Sequence, residues 1–202
     1  MTFLQVLTMA HGFALFLGYD PGGHDKHGIA AASIKPDGSF AEEPKTDVVA
    51  DAAAALEWFS HHKGAVALGI DTLLAWSLSG RRACDDWLRS TYHGRGGGSV
   101  IPQNSLYSSM TLNGVMVATR IVPRLILCES HPKLLRKALL LGEHLRRHVE
   151  SDEHAYDALV AAWCASRWFH RAWTRNLFEP KSDDMVFPAG DAVYPWPDPT
   201  RS

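Results

Sequence analysis

The chain is poor in cysteine and in net charge, and each shortage excludes a class of protein. Its 202 residues include three cysteines, Cys84, Cys128 and Cys164, which are far apart and form no CxxC pair. This excludes a disulfide framework and the usual zinc spacings, so we expect reduced thiols and a cytoplasmic location. The formal net charge is -2, which argues against attraction of the whole surface to nucleic acid but leaves room for a local basic patch.

The first residues lack the features of a secretion signal. The stretch from Met1 to Gly18 is apolar but contains no Lys or Arg, whereas a signal peptide begins with a basic segment. It is also short for a membrane span, so we expect no association with a membrane. Met9 is a second candidate start, and residues 1–12 are interpreted as an N-terminal extension. The glycines at 96–98 match neither a Walker loop nor a dinucleotide fingerprint.

Three apolar stretches of the chain each end in an acid. They cover residues 13–20, 65–71 and 125–129, and the acids are Asp20, Asp71 and Glu129. An unbroken apolar run predicts a strand that is buried on both faces of a sheet. A helix predicted between the first two strands makes them a parallel pair. The acids should then lie at one edge of the sheet, where open α/β sheets bind ligands.

The remaining segments complete an α/β pattern in a domain over residues 13–180. The turn Pro36-Asp37-Gly38 predicts a hairpin, with a third short strand around Phe40. Thr46 or Asp47 is predicted to cap the next helix. A late helix is expected to start at Ser151 or Asp152. From residue 181 to 202, four prolines predict an irregular tail.

An acidic cluster of this kind needs a cation. Carboxylates brought together repel one another and are costly to desolvate unless they are neutralised. Oxygen ligands suit Mg²⁺ or Mn²⁺, and such ions can activate water for attack on a phosphodiester. Taken singly, a strand-end Asp also serves as a turn or helix cap. The recurrence in three strands favours the metal site.

Five motifs occur in an order that resembles a known family. They are Leu17-Gly-Tyr-Asp-Pro-Gly-Gly23, Gly69-Ile-Asp-Thr-Leu-Leu74, Ile101-Pro-Gln-Asn-Ser-Leu-Tyr107 with Met110 and Gly114, Glu129-Ser-His-Pro132, and Asp157-Ala-Leu-Val-Ala-Ala162. The set extends from about Phe13 to Ala165. It resembles the domain-of-unknown-function 429 family, regarded as predicted nucleases of the ribonuclease-H-like superfamily.

The resemblance implies a fold, a reaction and a site. The fold is a ribonuclease-H-like α/β fold, a five-stranded mixed sheet in the order 3-2-1-4-5 that is flanked by helices, with the first three strands antiparallel. The reaction is phosphodiester hydrolysis by metal-activated water. Asp20 would be the central ligand that bridges both Mg²⁺ or Mn²⁺ ions, Asp71 and Glu129 would flank it, and Asp157 would close the site from the last helix.

One position departs from the related Holliday-junction resolvases. Their last helix has a second acid three residues before the first, whereas this chain has His154. A histidine there could bind the metal or shuttle protons. Asp152 or Glu153 would be the substitute acid, so the number of ions stays open.

Six further residues are candidate substrate contacts. Cationic side chains can follow a nucleic-acid backbone, but a solvated turn or helix face explains them too, and Asn or Ser also suits a helix cap. The candidates are Lys26, Arg82, Arg89, Arg95, Asn104 and Ser105.

Three functions remain open from the sequence. The first is a nuclease that acts on DNA or RNA. The second is a nucleotide-binding phosphotransferase or ATPase-like domain, although such proteins need two domains around a cleft. The third is a non-catalytic protein that binds nucleic acid or a protein partner.

Overall fold

The structure, a computed structural model, describes residues 12–106, 108–121, 125–149 and 152–198. The candidate starts Met1 and Met9, and with them most of the expected extension, lie outside these residues. The strands are β1 Ala14–Asp20, β2 His27–Ile34, β3 Lys45–Val49, β4 Ala65–Ile70, β5 Trp76–Ser77, β6 Ile126–Glu129, β7 Arg175–Asn176, β8 Met185–Val186, β9 Ala192–Val193 and β10 Pro195–Trp196. The helices are α1 Ala52–Ser60, α2 Ala83–Thr91, α3 Ser108–Ile121, α4 Pro132–Leu139 and α5 Glu153–Phe169.

A six-stranded mixed sheet forms the centre of an α/β fold. Its order is β3-β2-β1-β4-β6-β9. The first three strands are antiparallel neighbours, and β4, β6 and β9 are added parallel to β1. Nearly every residue of β1, β2 and β4 is buried, because helices cover both faces. The strands β3, β2, β1, β4 and β6 therefore lie in the order 3-2-1-4-5 that the resemblance implies.

The expected count of five strands is wrong, because the tail contributes a sixth. Ala192 and Val193 pair in parallel with Leu127 and Cys128 of β6. Tyr194 and Trp196 follow, and both are almost completely buried. This two-residue strand was not predicted, because a segment rich in proline is expected to be irregular.

The boundary between β3 and α1 also differs from the expected one. Phe40 makes only an isolated bridge with Ile34, and the third strand is Lys45–Val49. The helix cap is Asp51, whose side chain accepts a hydrogen bond from Ala54 N. Thr46 and Asp47, the predicted caps, instead pair with β2 as part of β3. The two valines that follow them favour a β-strand.

Helix α5 lies directly on the backbone of three strands. It packs against β1, β2 and β4, and each of these strands has a glycine at the contact. An added Cβ at Gly18, Gly28 or Gly69 would overlap with a carbonyl oxygen of α5, from Ala158, His154 and Ala161 respectively. The three carbonyls recur at helical spacing, so the glycines fix the position of this helix on the sheet.

Gly69→Ala is expected to lower the free energy of unfolding by about 3 kcal/mol or more. The added Cβ would overlap with the carbonyl oxygen of Ala161, and both atoms are attached to rigid backbone that cannot easily move apart. Gly23→Ala is the matched control, since nothing lies within 4 Å of the Cβ it would add. Urea unfolding measures both. Equal stability of the two variants would show that α5 is free to move away from the sheet.

Among the described helices, none has the length and apolar character needed to cross a lipid bilayer. This agrees with the expectation of no membrane-spanning segment.

Candidate active site

The ends of β1 and β4 bring Asp20 and Asp71 together. Tyr19 is paired with Ile70, and Asp71 N donates to Tyr19 O at 2.9 Å. Asp20 and Asp71 are thus the next residues along two adjacent parallel strands. Because side chains alternate between faces, both carboxylates leave the sheet on the side of α5.

Glu129 lies at the same edge but leaves the sheet on the opposite face. It is paired with Ile70, one position before Asp71, and a shift of one residue reverses the direction of a side chain. Glu129 is almost completely buried. Its Oε1 and Oε2 accept from Arg82 at 2.7 and 2.9 Å, and Oε2 also accepts from Leu74 N at 2.7 Å. The carboxylate is therefore already paired with a protein cation, although burial still raises its pKa.

Helix α5 adds His154 and Asp157 to the side of Asp20. His154 Nδ1 lies 2.7 Å from Asp20 Oδ2. Asp152 caps the helix, with its Oδ1 accepting from His154 N at 2.7 Å, and Glu153 pairs with arginines at 3.1 Å. The two acids named as substitutes for the missing one are thus both engaged in other contacts.

Burial and mutual repulsion disfavour the charged forms of these acids. Asp20 and Asp157 are 4% and 3% exposed. Burial raises the pKa of Asp20 to about 6, with Asp71 adding to the shift and the hydrogen bond from His154 opposing it. Burial likewise raises the pKa of Asp157 to about 7, again with repulsion from Asp71. The three carboxylates therefore lie within electrostatic range of one another.

Two cations of α4 face this cluster, and neither was expected from the sequence. Arg136 Nη2 lies 2.7 Å from Asp157 Oδ1, and among the described residues Oδ1 has no hydrogen-bond partner. Lys133 is exposed and lowers the pKa of Asp20 and of Asp157. Because α4 begins directly after β6, the sequence alone could have predicted that basic residues in its first turns lie at this edge.

Three of the six candidate substrate contacts, all of them arginines, make contacts within the protein. Arg82 is 3% exposed, and it also binds Asp85 at 2.6 and 2.9 Å, so it cannot reach a nucleic acid as placed. Arg89 donates to Val100 O at 2.6 Å, and the Arg95 guanidinium lies 5.7 Å from the centre of the Tyr92 ring.

The other three candidates are exposed. They are Lys26 in the turn after β1, and Asn104 and Ser105 in the segment before α3. Ser105 N donates to Pro102 O at 2.8 Å, so this part of the segment is a turn and α3 begins later.

The carboxylate oxygens of this cluster are ligands that suit a hard divalent cation, although the side chains are not arranged as a metal site. Within the described ranges, no group of three or more His, Cys, Asp or Glu side chains is placed to hold a metal ion. However, Asp157 Oδ1 is buried and has no hydrogen-bond partner among the described residues, and burial with repulsion from Asp71 raises the pKa of Asp20 and of Asp157. Asp20, Asp71 and Asp157 thus fit such an ion by charge and oxygen chemistry, whereas Glu129 leaves the sheet on the other face and is paired with Arg82.

No protein-family model matches the chain, and no match was found among curated proteins or solved structures.

The raised pKa values predict how stability depends on pH in a buffer with EDTA. Since the folded values of about 6 and 7 exceed the ordinary value of 3.8, the native state binds protons more tightly than the unfolded chain. The free energy of unfolding should therefore decrease by several kcal/mol as the pH rises from about 4 to about 7, because both groups contribute.

Asp157→Asn isolates this contribution from that of other titrating groups. The variant should be more stable than the wild type at pH 8 and lose less stability between pH 5 and pH 8, as measured by urea unfolding. A variant less stable than the wild type at pH 8 would show that the charge of Asp157 is balanced by Arg136.

Proposed function

We propose that the chain is a nuclease of ribonuclease-H-like fold that hydrolyses phosphodiester bonds with the help of Mg²⁺ or Mn²⁺. The observation that carries the proposal is the set of three carboxylates, Asp20, Asp71 and Asp157, buried or half-buried at one sheet edge, where burial and repulsion from Asp71 raise the pKa of Asp20 and of Asp157. Carboxylates are held in such a state at functional sites more often than elsewhere. The strands β3-β2-β1-β4-β6 of the sheet have the order and the directions that the resemblance implies.

The three carboxylates would hold the metal. When bound, a divalent ion lowers the pKa of water and offsets negative charge on a leaving oxygen. The hydrogen bond from His154 orients the Asp20 carboxylate through its Oδ2. Arg136 fixes Asp157, and exposed Lys133 at the same edge supplies a cation for a phosphate of the substrate. Glu129 supports the edge from the other face through Arg82.

The test is cleavage of end-labelled single-stranded and duplex DNA and RNA at pH 8. We expect cleavage with Mn²⁺ or Mg²⁺ and none with EDTA, and calorimetry should detect Mn²⁺ binding to the protein alone. Intact substrates in all four series, together with no heat from Mn²⁺, would refute the proposal.

A further inference from the structure

A small cleft opens beside the carboxylates and has no role in the chemistry proposed above. Its volume is about 110 Å³, and both Asp71 and the Arg82–Glu129 ion pair line it. Gln103 exchanges two hydrogen bonds, of 3.0 and 2.8 Å, with the backbone of Ser77. These bonds hold the segment that forms one wall, so the cleft is built into the fold.

Two residues that line this cleft, Thr72 and Ser130, have buried hydroxyls without hydrogen bonds among the described residues. Thr72 and Ser130 are 5% and 4% exposed, and within the described part of the chain neither Thr72 Oγ1 nor Ser130 Oγ has a partner. An unmet buried hydroxyl destabilises a protein, and native structures retain few of them. The Thr72 methyl packs against Gly114 of α3, which fixes the orientation of this side chain.

The charges in the cleft disfavour an anionic occupant. The charged residues that line it are Asp71, Arg82, Asp85, Glu129 and Lys133, which are three acids and two bases. Arg82 is already paired with two of the acids. An anion such as phosphate would therefore meet a negative balance of charge, which disfavours its entry.

The size and the walls favour one flat ring. Drug-sized ligands occupy roughly 300–1,000 Å³, so this cleft takes a much smaller group. Its apolar lining is formed by Leu73, Val100, Ile101, Leu106 and Met110. Apolar walls with a few hydrogen-bonding groups are what enzymes use to hold an unpaired nucleobase.

We propose that the cleft receives one unpaired single-ring nucleobase of a single-stranded nucleic acid, whose edge bonds to the hydroxyls of Thr72 and Ser130. The identity of the ligand as a nucleobase rests on the proposed nuclease function. The substrate would then be a single strand or an unpaired nucleotide, and the base beside Asp71 would place its own phosphate near the carboxylates.

The experiment measures binding in EDTA, so that it does not depend on cleavage. Fluorescence anisotropy compares a fluorescein-labelled ten-nucleotide oligothymidylate with an abasic strand of the same length and charge. Oligothymidylate should bind at least about fivefold more tightly. Thr72→Val and Ser130→Ala should each remove most of this difference. Equal affinity for the two strands, or variants that behave as the wild type, would overturn the proposal.

Ser99→Ala is the matched control. Ser99 also lines the cleft, but its hydroxyl already donates to Gly96 O at 2.7 Å, so binding should not change. Thr72→Val and Ser130→Ala should keep or raise the melting temperature, since each removes an unpaired buried hydroxyl. A lower melting temperature in both would assign the hydroxyls to the fold and overturn the proposal.

The failure of this inference can be separated from failure of the nuclease assignment. Binding that depends on Thr72 and Ser130 without any metal-dependent cleavage would keep the base pocket and reject the nuclease. Cleavage of oligothymidylate by both variants at the wild-type rate and with wild-type affinity would keep the nuclease and reject the pocket.

Discussion

Replacing Asp20 by Asn is expected to reduce metal-dependent cleavage by about 1,000-fold or more and to leave the protein folded. Asp20 lies at the centre of the cluster, in contact with His154 and within electrostatic range of Asp71 and Asp157. Asn has the same shape but no charge, so the affinity for a divalent ion falls. Metal catalysis supplies several kcal/mol, and each 1.36 kcal/mol is about tenfold in rate.

The same variant should be as stable as the wild type or more stable, because the charge of buried Asp20 is disfavoured in the native state. The initial rate of cleavage in Mn²⁺ and the melting temperature in EDTA are the two measurements. Asp25→Asn, in the exposed turn that follows β1, is the control and should change neither. Residual cleavage by Asp20→Asn at the rate of the control would count against the site.

Arg82→Met is expected to lower the free energy of unfolding by about 3–5 kcal/mol, the usual cost of leaving buried charge unpaired. Arg82 is the cation between Asp85 and Glu129, and all three side chains are almost completely buried. Its guanidinium also donates to Ala75 O at 3.1 Å. Removing it leaves two carboxylates buried side by side, which must take up protons or draw in water. Urea unfolding at pH 7 measures the loss.

Arg82→Lys and Arg81→Met complete the comparison. Lysine keeps the charge but lacks the planar fork that bonds to two carboxylates at once, so it should recover only part of the stability. Arg81 is exposed and pairs with Asp86 at the surface, where an ion pair contributes little. If Arg82→Met were as stable as Arg81→Met, the buried ion pair would have no structural role.

Glu129→Gln separates the two roles that Glu129 could have. In the described structure the side chain is a partner of Arg82, so the variant should lose stability but keep metal-dependent cleavage within about tenfold of the wild type at temperatures where it is folded. A loss as large as that of Asp20→Asn would instead make Glu129 a metal ligand.

The sequence was sufficient to locate β1, β4 and β6 and the edge at which the acids lie. Apolar runs that end in Gly-x-Asp mark both β1 and β4, and the register pairs Gly18 with Gly69. The same alignment contains the signal that was missed for Glu129. In β6 the acid comes one position earlier relative to the residue paired with these glycines, and alternation then sends it to the other face.

Other parts of the site depend on contacts between distant segments of the chain. The periodicity of apolar residues does not reveal such contacts. The ion pair between Arg82 and Glu129 joins residues 47 positions apart. As a helix-surface residue, Arg82 looked no different in sequence from Arg81, which is exposed. The bond between His154 and Asp20 spans 134 positions and required the close approach of α5 to the sheet, which the glycines permit.

The late position of β9 has a consequence for the synthesis of the chain. Until residues 192 and 193 have been made, the outer edge of β6 displays unpaired backbone groups, although the other five strands can already associate. An open edge of this kind is a template for pairing with another molecule. The nascent protein therefore passes through a stage at which five of the six strands have been made and the outer edge of β6 can still pair with a neighbour, until β9 covers that edge.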